Sequence, residues 1–261
     1  MKSSLVKFNN SPFVKKPFGG LDGTVLKLLA ITFMIFDHTR VALFDGNFWM
    51  NYVGRLAFPI FAFQIAEGFV HTRSFKKYLS RLLIFAVISE IPFNVFCSSE
   101  MFFPQYQNVL FTFVFGILAL RLLEFAKKEP TLAKVAGAGV GVIVIAILAE
   151  VLKVDYGVAG VIIVVAFYLF RNFPFAFVLQ FATVFLVFFF FCPGRPVFFK
   201  IHEFIFHVPV QVFALFSFIP IWFYNGKKGK GGKLLQYISY GFYPVHIALL
   251  CIIRYVLRNI I

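Results

Sequence analysis

The chain has 261 residues, of which 61% are hydrophobic and 14% charged, with a mean hydropathy of +0.87. Those values exclude a soluble globular domain and predict an all-α, polytopic integral membrane helix bundle of about nine to ten transmembrane helices. The net charge of +14 sits in short loops between apolar runs. It therefore reads as an orientation signal in contact with membrane lipids and not as a nucleic-acid surface.

Residues 1–20 form a basic arm, and the apolar run behind it is too long for a signal-peptide core, so it is expected to be a retained first helix. With about 20 apolar residues needed per crossing, spans are predicted near 22–44, 51–71, 79–97, 107–126, 132–152, 156–171, 173–192, 203–224 and 234–258, in one domain over 21–261. Asp22 is the expected N-cap of the first. The sixth is short and only "RNFP" separates it from the seventh. Lys and Arg concentrate in the arm, in 71–81, in 121–134 and in 225–233, alternating with charge-poor loops. The positive-inside rule then puts the N-terminus in the cytoplasm of a cell-membrane protein and the C-terminus outside. One loop dissents: "PGRPVFFK" is expected outside yet carries Arg195 and Lys200.

Ionisable groups inside a span are costly unless paired or facing a cavity. On a rise of ~1.5 Å per residue, His38 stands about 24 Å above the inner end of the first span, level with Arg55 on the second. Glu90 and Asn94 reach similar heights on the third. Gln107 and Asn108 open the fourth, Glu150 and Asp155 flank the turn before the sixth, and His246 sits about 18 Å up the ninth. Pro59, Pro92 and Pro244 fall beside this band, and each frees a carbonyl four residues earlier.

A second cluster lies at the inner face. Glu67 and His71 are i, i+4, followed by Arg73, Lys76, Lys77 and Arg81, with Arg121, Lys127 and Lys128 on the next inner loop. Such cations suit an anionic ligand such as a cofactor's phosphates, or simply lipid headgroups.

Two superficial motifs fail. "HEFIFH" (202–207) spaces its histidines i, i+5, which on a helix diverge by about 140°, so it is no zinc-protease signature; Glu203 and His207 could pair instead. "GKKGKGGK" (226–233) lacks the glycine spacing and preceding strand of a phosphate loop. Cys97, Cys192 and Cys251 are too far apart to suggest a disulfide framework or a metal site.

Within the outer band His38 is the strongest candidate for a general base, since imidazole exchanges protons near neutral pH. Asp37 and His38 point about 100° apart on a helix. Asp37 is thus expected to pair with Arg40 at i+3, leaving Glu90 as the carboxylate for His38. The alternative is a purely structural network of Asp37, Arg40, Arg55 and Glu90.

"LAITFMIFDHTRV", "GRLAFPIFAFQIAEGFVHTR", "RLLIFAVISEIPFNV", "NVLFTFVFG", "DYGVAGV" and "YGFYPVHIALL", in that order, resemble the TraX family. The resemblance implies a membrane acyltransferase akin to enzymes that N-acetylate pilin or O-acetylate cell-surface sugars, with acetyl-CoA as donor and no metal. It points to His38 as base, with Asp37 its neighbour in the same motif and Arg55 in the GRLAFP motif, to which the depth of the helices adds Glu90 as a catalytic partner. Asn94, Gln107, Asn108, Asp155, Tyr243 and His246 then form the acceptor side at the outer face, and Glu67, His71, Arg73, Lys76, Lys77 and Arg81 the coenzyme side. The runner-up is a proton-coupled transporter or flippase, whose acidic groups would carry protons.

Overall fold

The computed structural model describes residues 19–260 apart from 45, 174, 202, 203 and 231. All but the last two residues of the basic arm lie outside the described residues. α1 (Gly23–Leu43) starts where the Asp22 carboxylate accepts from the amides of Thr24 and Val25, the N-cap read from the sequence. The continuous helix expected over 51–71 is instead α2 (Phe48–Gly54) and α3 (Ala57–His71), broken at Arg55 and Leu56. Pro59 accounts for the position of the break, because it offers no amide to the Arg55 carbonyl and its ring crowds that carbonyl.

α4 (Phe75–Ser98), α5 (Val109–Lys128), α6 (Leu132–Val151), α7 (Gly157–Leu169, then a 3₁₀ turn over Phe170–Asn172) and α8 (Ala176–Phe191) follow close to their expected limits. The helix expected over 203–224 does not form. A β-hairpin stands there, β1 (Pro196–Ile201) against β2 (Phe204–Pro209), antiparallel with Pro196 opposite Pro209. It leads into a 3₁₀ segment, Val210–Ser217, and a short α9, Phe218–Trp222. "PVFFKI" and "FIFHVP" are made of β-branched and aromatic residues with proline at the outer ends, a composition that favours strands and stops them. His207 therefore lies on a strand, and its suggested partner Glu203 lies outside the described residues. α10 (Gly232–Ile260) closes the chain.

The protein is thus nearly all helical, with several apolar membrane-type helices. Among the described residues, Phe48–His71, α4, α5, α6 and Tyr237–Asn259 are each long and apolar enough to cross a membrane, five where nine to ten were expected. Gly157–Asn172, Ala176–Phe191 and Val210–Trp222 are shorter apolar segments. α1, which carries Lys27, Asp37, His38 and Arg40, is not among the five.

α7 is apolar and buried nearly all round, with Val161, Ile163 and Val164 fully enclosed. It packs against α3, α5, α6 and α8, while α10 lies along α4 and α1. The outer helices expose aliphatic faces, Ile84, Val87 and Ile91 on α4 and Val140, Ile143 and Ile147 on α6, as lipid in place of water requires. The amides of Gly20 and Leu21 donate to the Phe223 carbonyl, at 3.0 and 2.9 Å. The stretch after β2 therefore returns from the end of the bundle where α1 finishes to the end where it begins.

Candidate active site

Asp37, two-thirds of the way along α1, meets the break between α2 and α3. Its Oδ1 accepts from Arg55 Nη2 at 2.6 Å and from Asn51 Nδ2 at 2.6 Å. Gly54 makes the approach possible, since a Cβ there would lie 2.4 Å from the Asp37 Cβ. The expected Asp37–Arg40 pair is therefore replaced by one between helices, because the α2–α3 break turns the Arg55 side chain toward α1. Arg55 Nη1 points to Gln211 Oε1 at 3.4 Å, and its Nε is buried without a partner.

His38 does not meet Glu90. Its Nδ1 lies 2.6 Å from His246 Nε2, with the two rings stacked at 4.9 Å and 12°. His246 Nδ1 is in turn 2.9 Å from the carbonyl oxygen of Phe242. A carbonyl only accepts, so His246 Nδ1 carries hydrogen and its neutral ring presents Nε2 as acceptor. His38 Nδ1 must then donate, which leaves the lone pair of neutral His38 on Nε2. No described residue bonds that atom. The His38 ring is flanked by Phe96, edge-on at 5.5 Å, and by Tyr243 at 6.1 Å.

The other carboxylates of the band serve separate ties. Glu90 Oε2 accepts from Asn108 Nδ2 at 2.5 Å, and Asn108 also caps α5 by accepting from the Leu110 amide. Asn94 Nδ2 donates to the Met101 carbonyl at 3.2 Å. Gln107 pairs by backbone with the turn before α7, its amide on Lys153 O and its carbonyl on the Asp155 amide, each at 2.9 Å. In that turn Asp155 Oδ1 accepts from the Tyr106 hydroxyl at 2.5 Å. Burial pushes the Asp155 carboxyl up to about 6, against the opposing pull of the Tyr106 hydrogen bond and of Arg55. Tyr106 is itself pushed well above the ordinary phenol range, by burial first and then by Asp155. Glu150 accepts from the Val158 amide at the start of α7.

At the opposite end of the bundle, Glu67 is buried and grips Arg171 of the 3₁₀ turn, with Oε1 on Nε at 2.5 Å and Oε2 on Nη2 at 3.4 Å. His71 Nε2 lies 3.6 Å from Glu67 Oε2. Arg73, Lys76 and Lys77 are exposed beside this pair without joining it, and Arg81 leans over the Tyr78 ring on its own helix at 6.0 Å.

A cavity of about 330 Å³ lies under the hairpin, between Phe48, Asn51 and Tyr52 on one side and Pro196–Phe198 on the other, and so reaches the residue that bonds Asp37. The sequence features that carry this geometry, "DH" on α1 and "GRLAFP" at the break, fall within a stretch, residues 22–254, that matches the TraX protein family. The chain belongs to the TraX family. It is similar to the "Probable fimbrial assembly protein FimC, serogroup H1" of Dichelobacter nodosus, with 33% identity over 249 residues covering 87% of this chain and 93% of that protein. No solved structure matches it.

In this TraX protein, sequence reasoning placed His38, Asp37, Arg55 and His246 in one band but missed Asn51, Gln211 and Arg171. Each is a polar residue within or beside an apolar run, the same signal that singled out Glu90. Gln211 escapes because its stretch is expected to be helical, and Arg171 because "RNFP" reads only as the link between two spans.

Proposed function

We propose that the protein is a membrane-bound acyltransferase that moves an acetyl group from cytoplasmic acetyl-CoA to an amine or hydroxyl of an acceptor at the outer face of the cell membrane. Membership of the TraX family, and the similarity to a protein named for fimbrial assembly, favour an acceptor of the pilin type over a cell-envelope glycan. The observation that carries the reading is the relay from the Phe242 carbonyl through His246 to His38, which leaves His38 Nε2 as an acceptor. A base needs an oriented lone pair, and a histidine serving packing alone has no need of a second imidazole to fix its tautomer.

In the reaction the acceptor nitrogen or oxygen attacks the thioester carbonyl carbon and its proton passes to His38 Nε2. The new C–N or C–O bond forms, the C–S bond breaks, and the proton leaves with the coenzyme thiolate. Arg55, held by Asp37 and with Nε uncommitted, supplies donors for the oxyanion of the tetrahedral intermediate. The exposed Arg73, Lys76 and Lys77 are suited to the coenzyme's phosphates at the other end. His38 is 15 residues beyond the start of α1, about 22 Å at the helical rise, so the thioester arm has to reach into the bundle.

Proteoliposomes given labelled acetyl-CoA and a peptide with a free amine are expected to release coenzyme thiol in step with labelling of the peptide. Neither release nor label with amine and hydroxyl acceptors alike would remove the acyltransferase reading, and gradient-driven uptake without acetyl-CoA would point to transport instead.

A further inference from the structure

We propose that a cavity walled by Arg40, Arg195, Arg254 and Arg258 binds the phosphate headgroup of a membrane amphiphile. The cavity, about 730 Å³, lies where the ends of α1 and α10 meet the start of the hairpin, and Leu43 and Leu257 complete its apolar wall. That volume is within the range of ligand pockets, ~300–1,000 Å³.

Arg40 is the decisive residue. It is only 8% exposed, its Nε is buried without a partner, and no described residue makes an ion pair or hydrogen bond with its side chain. A guanidinium so enclosed is costly unless an anion meets it. Asp37, the carboxylate expected to neutralise it, is taken by Arg55. Arg254 is aimed without being neutralised: Nη1 and Nη2 donate to the carbonyls of Phe96 and Val95 at 3.1 and 2.9 Å, and carbonyls carry no formal charge. Arg195 lies over the Phe48 ring at 5.1 Å. Among the described residues none of the four makes an ion pair.

Four guanidiniums suit a multiply charged oxyanion with several acceptor oxygens, since each presents paired donors, whereas one carboxylate would leave most of the charge unmatched. The rest of the ligand is apolar. Val41 and Leu257, which line the cavity, are 42% and 44% exposed, so an alkyl chain lying in the leaflet would run along them. This accounts for Arg195, which broke the charge pattern of the loops. The claim concerns binding and does not need the transfer reading. The two meet at Phe96, whose ring is 5.6 Å from the Arg254 guanidinium and 5.5 Å from the His38 ring.

The test uses the full chain in detergent, with retention of phosphatidic acid read by native mass spectrometry against diacylglycerol of the same chains. Phosphatidic acid is expected to be retained and diacylglycerol lost. Arg40→Gln and Arg254→Gln should each weaken retention by about tenfold or more, the loss of a charge-assisted hydrogen bond. Lys200→Gln, which removes an exposed charge at the same end outside the cavity, should not. Arg40→Gln should also raise the thermal midpoint of lipid-free protein, where a merely structural arginine would lower it. Should that variant fail to fold, Arg258→Gln, at the exposed rim of the cavity, is expected to show the same loss of retention. Equal retention of diacylglycerol, retention unchanged in the cavity variants, or inorganic pyrophosphate binding as tightly as the lipid would each overturn the proposal.

Discussion

Glu67–Arg171 and Asp37–Arg55 are both carboxylate–arginine pairs inside one apolar bundle, yet they are built differently. Glu67 turns both oxygens to Arg171 and takes a further hydrogen bond from Tyr224, so little donor or acceptor capacity is left over. Asp37 spends one oxygen on both Arg55 and Asn51, while Arg55 keeps an unpartnered Nε and His38 beside them keeps an open Nε2. Burial alone does not separate a structural tie from a reactive site; the capacity left uncommitted does.

That contrast can be broken most forcefully at the closed pair. Glu67→Ala takes the buried carboxylate from a half-buried guanidinium and is expected to cost ~1–3 kcal/mol, seen as a lower thermal midpoint in detergent. A Glu67→Ala midpoint equal to that of wild type would contradict this. Gly54→Ala forces α1 and α2 apart at Asp37 and is expected to cost ~1–3 kcal/mol. It should also lower transfer, since it disturbs the Asp37–Arg55 pair. His246→Gln removes the ring that fixes the His38 tautomer; by analogy with histidines held through their second nitrogen, transfer should fall ~10–100-fold with the midpoint little changed.

The smallest effect is a pH dependence at Asp155. Its carboxyl is raised to about 6 in the folded protein, so the folded form holds a proton that the unfolded chain has already lost. Its contribution is full below the ordinary carboxylate value and is lost as pH rises through about 6. Between ~pH 4 and ~pH 6 the midpoint of the wild type should fall relative to Asp155→Asn, and parallel pH profiles for the two would contradict this.

Much of the architecture was legible because apolar runs of helical length and an Asp N-cap each have one dominant structural outcome. The hairpin was not, because "FIFHVP" is as apolar as a helix and period alone does not distinguish the two, while "PVFFKI" reads as a loop between spans. Depth along the helices put His38, Arg55 and His246 in one band. It did not reveal which of them touch, because rotation about each helix axis depends on packing. Asp37 faces α2, where Gly54 leaves room for it, and His38 faces α10, where the Phe242 carbonyl holds the His246 ring, facts that no one-dimensional depth map contains.

The central claim is that His38 Nε2 takes the acceptor's proton. The most direct measurement is the rate of labelled acetyl transfer by His38→Ala beside wild type, in protein shown by its midpoint to be folded. A loss of about 10²–10⁴-fold is predicted for removal of a positioned general base. A His38→Ala rate equal to that of wild type would contradict the account.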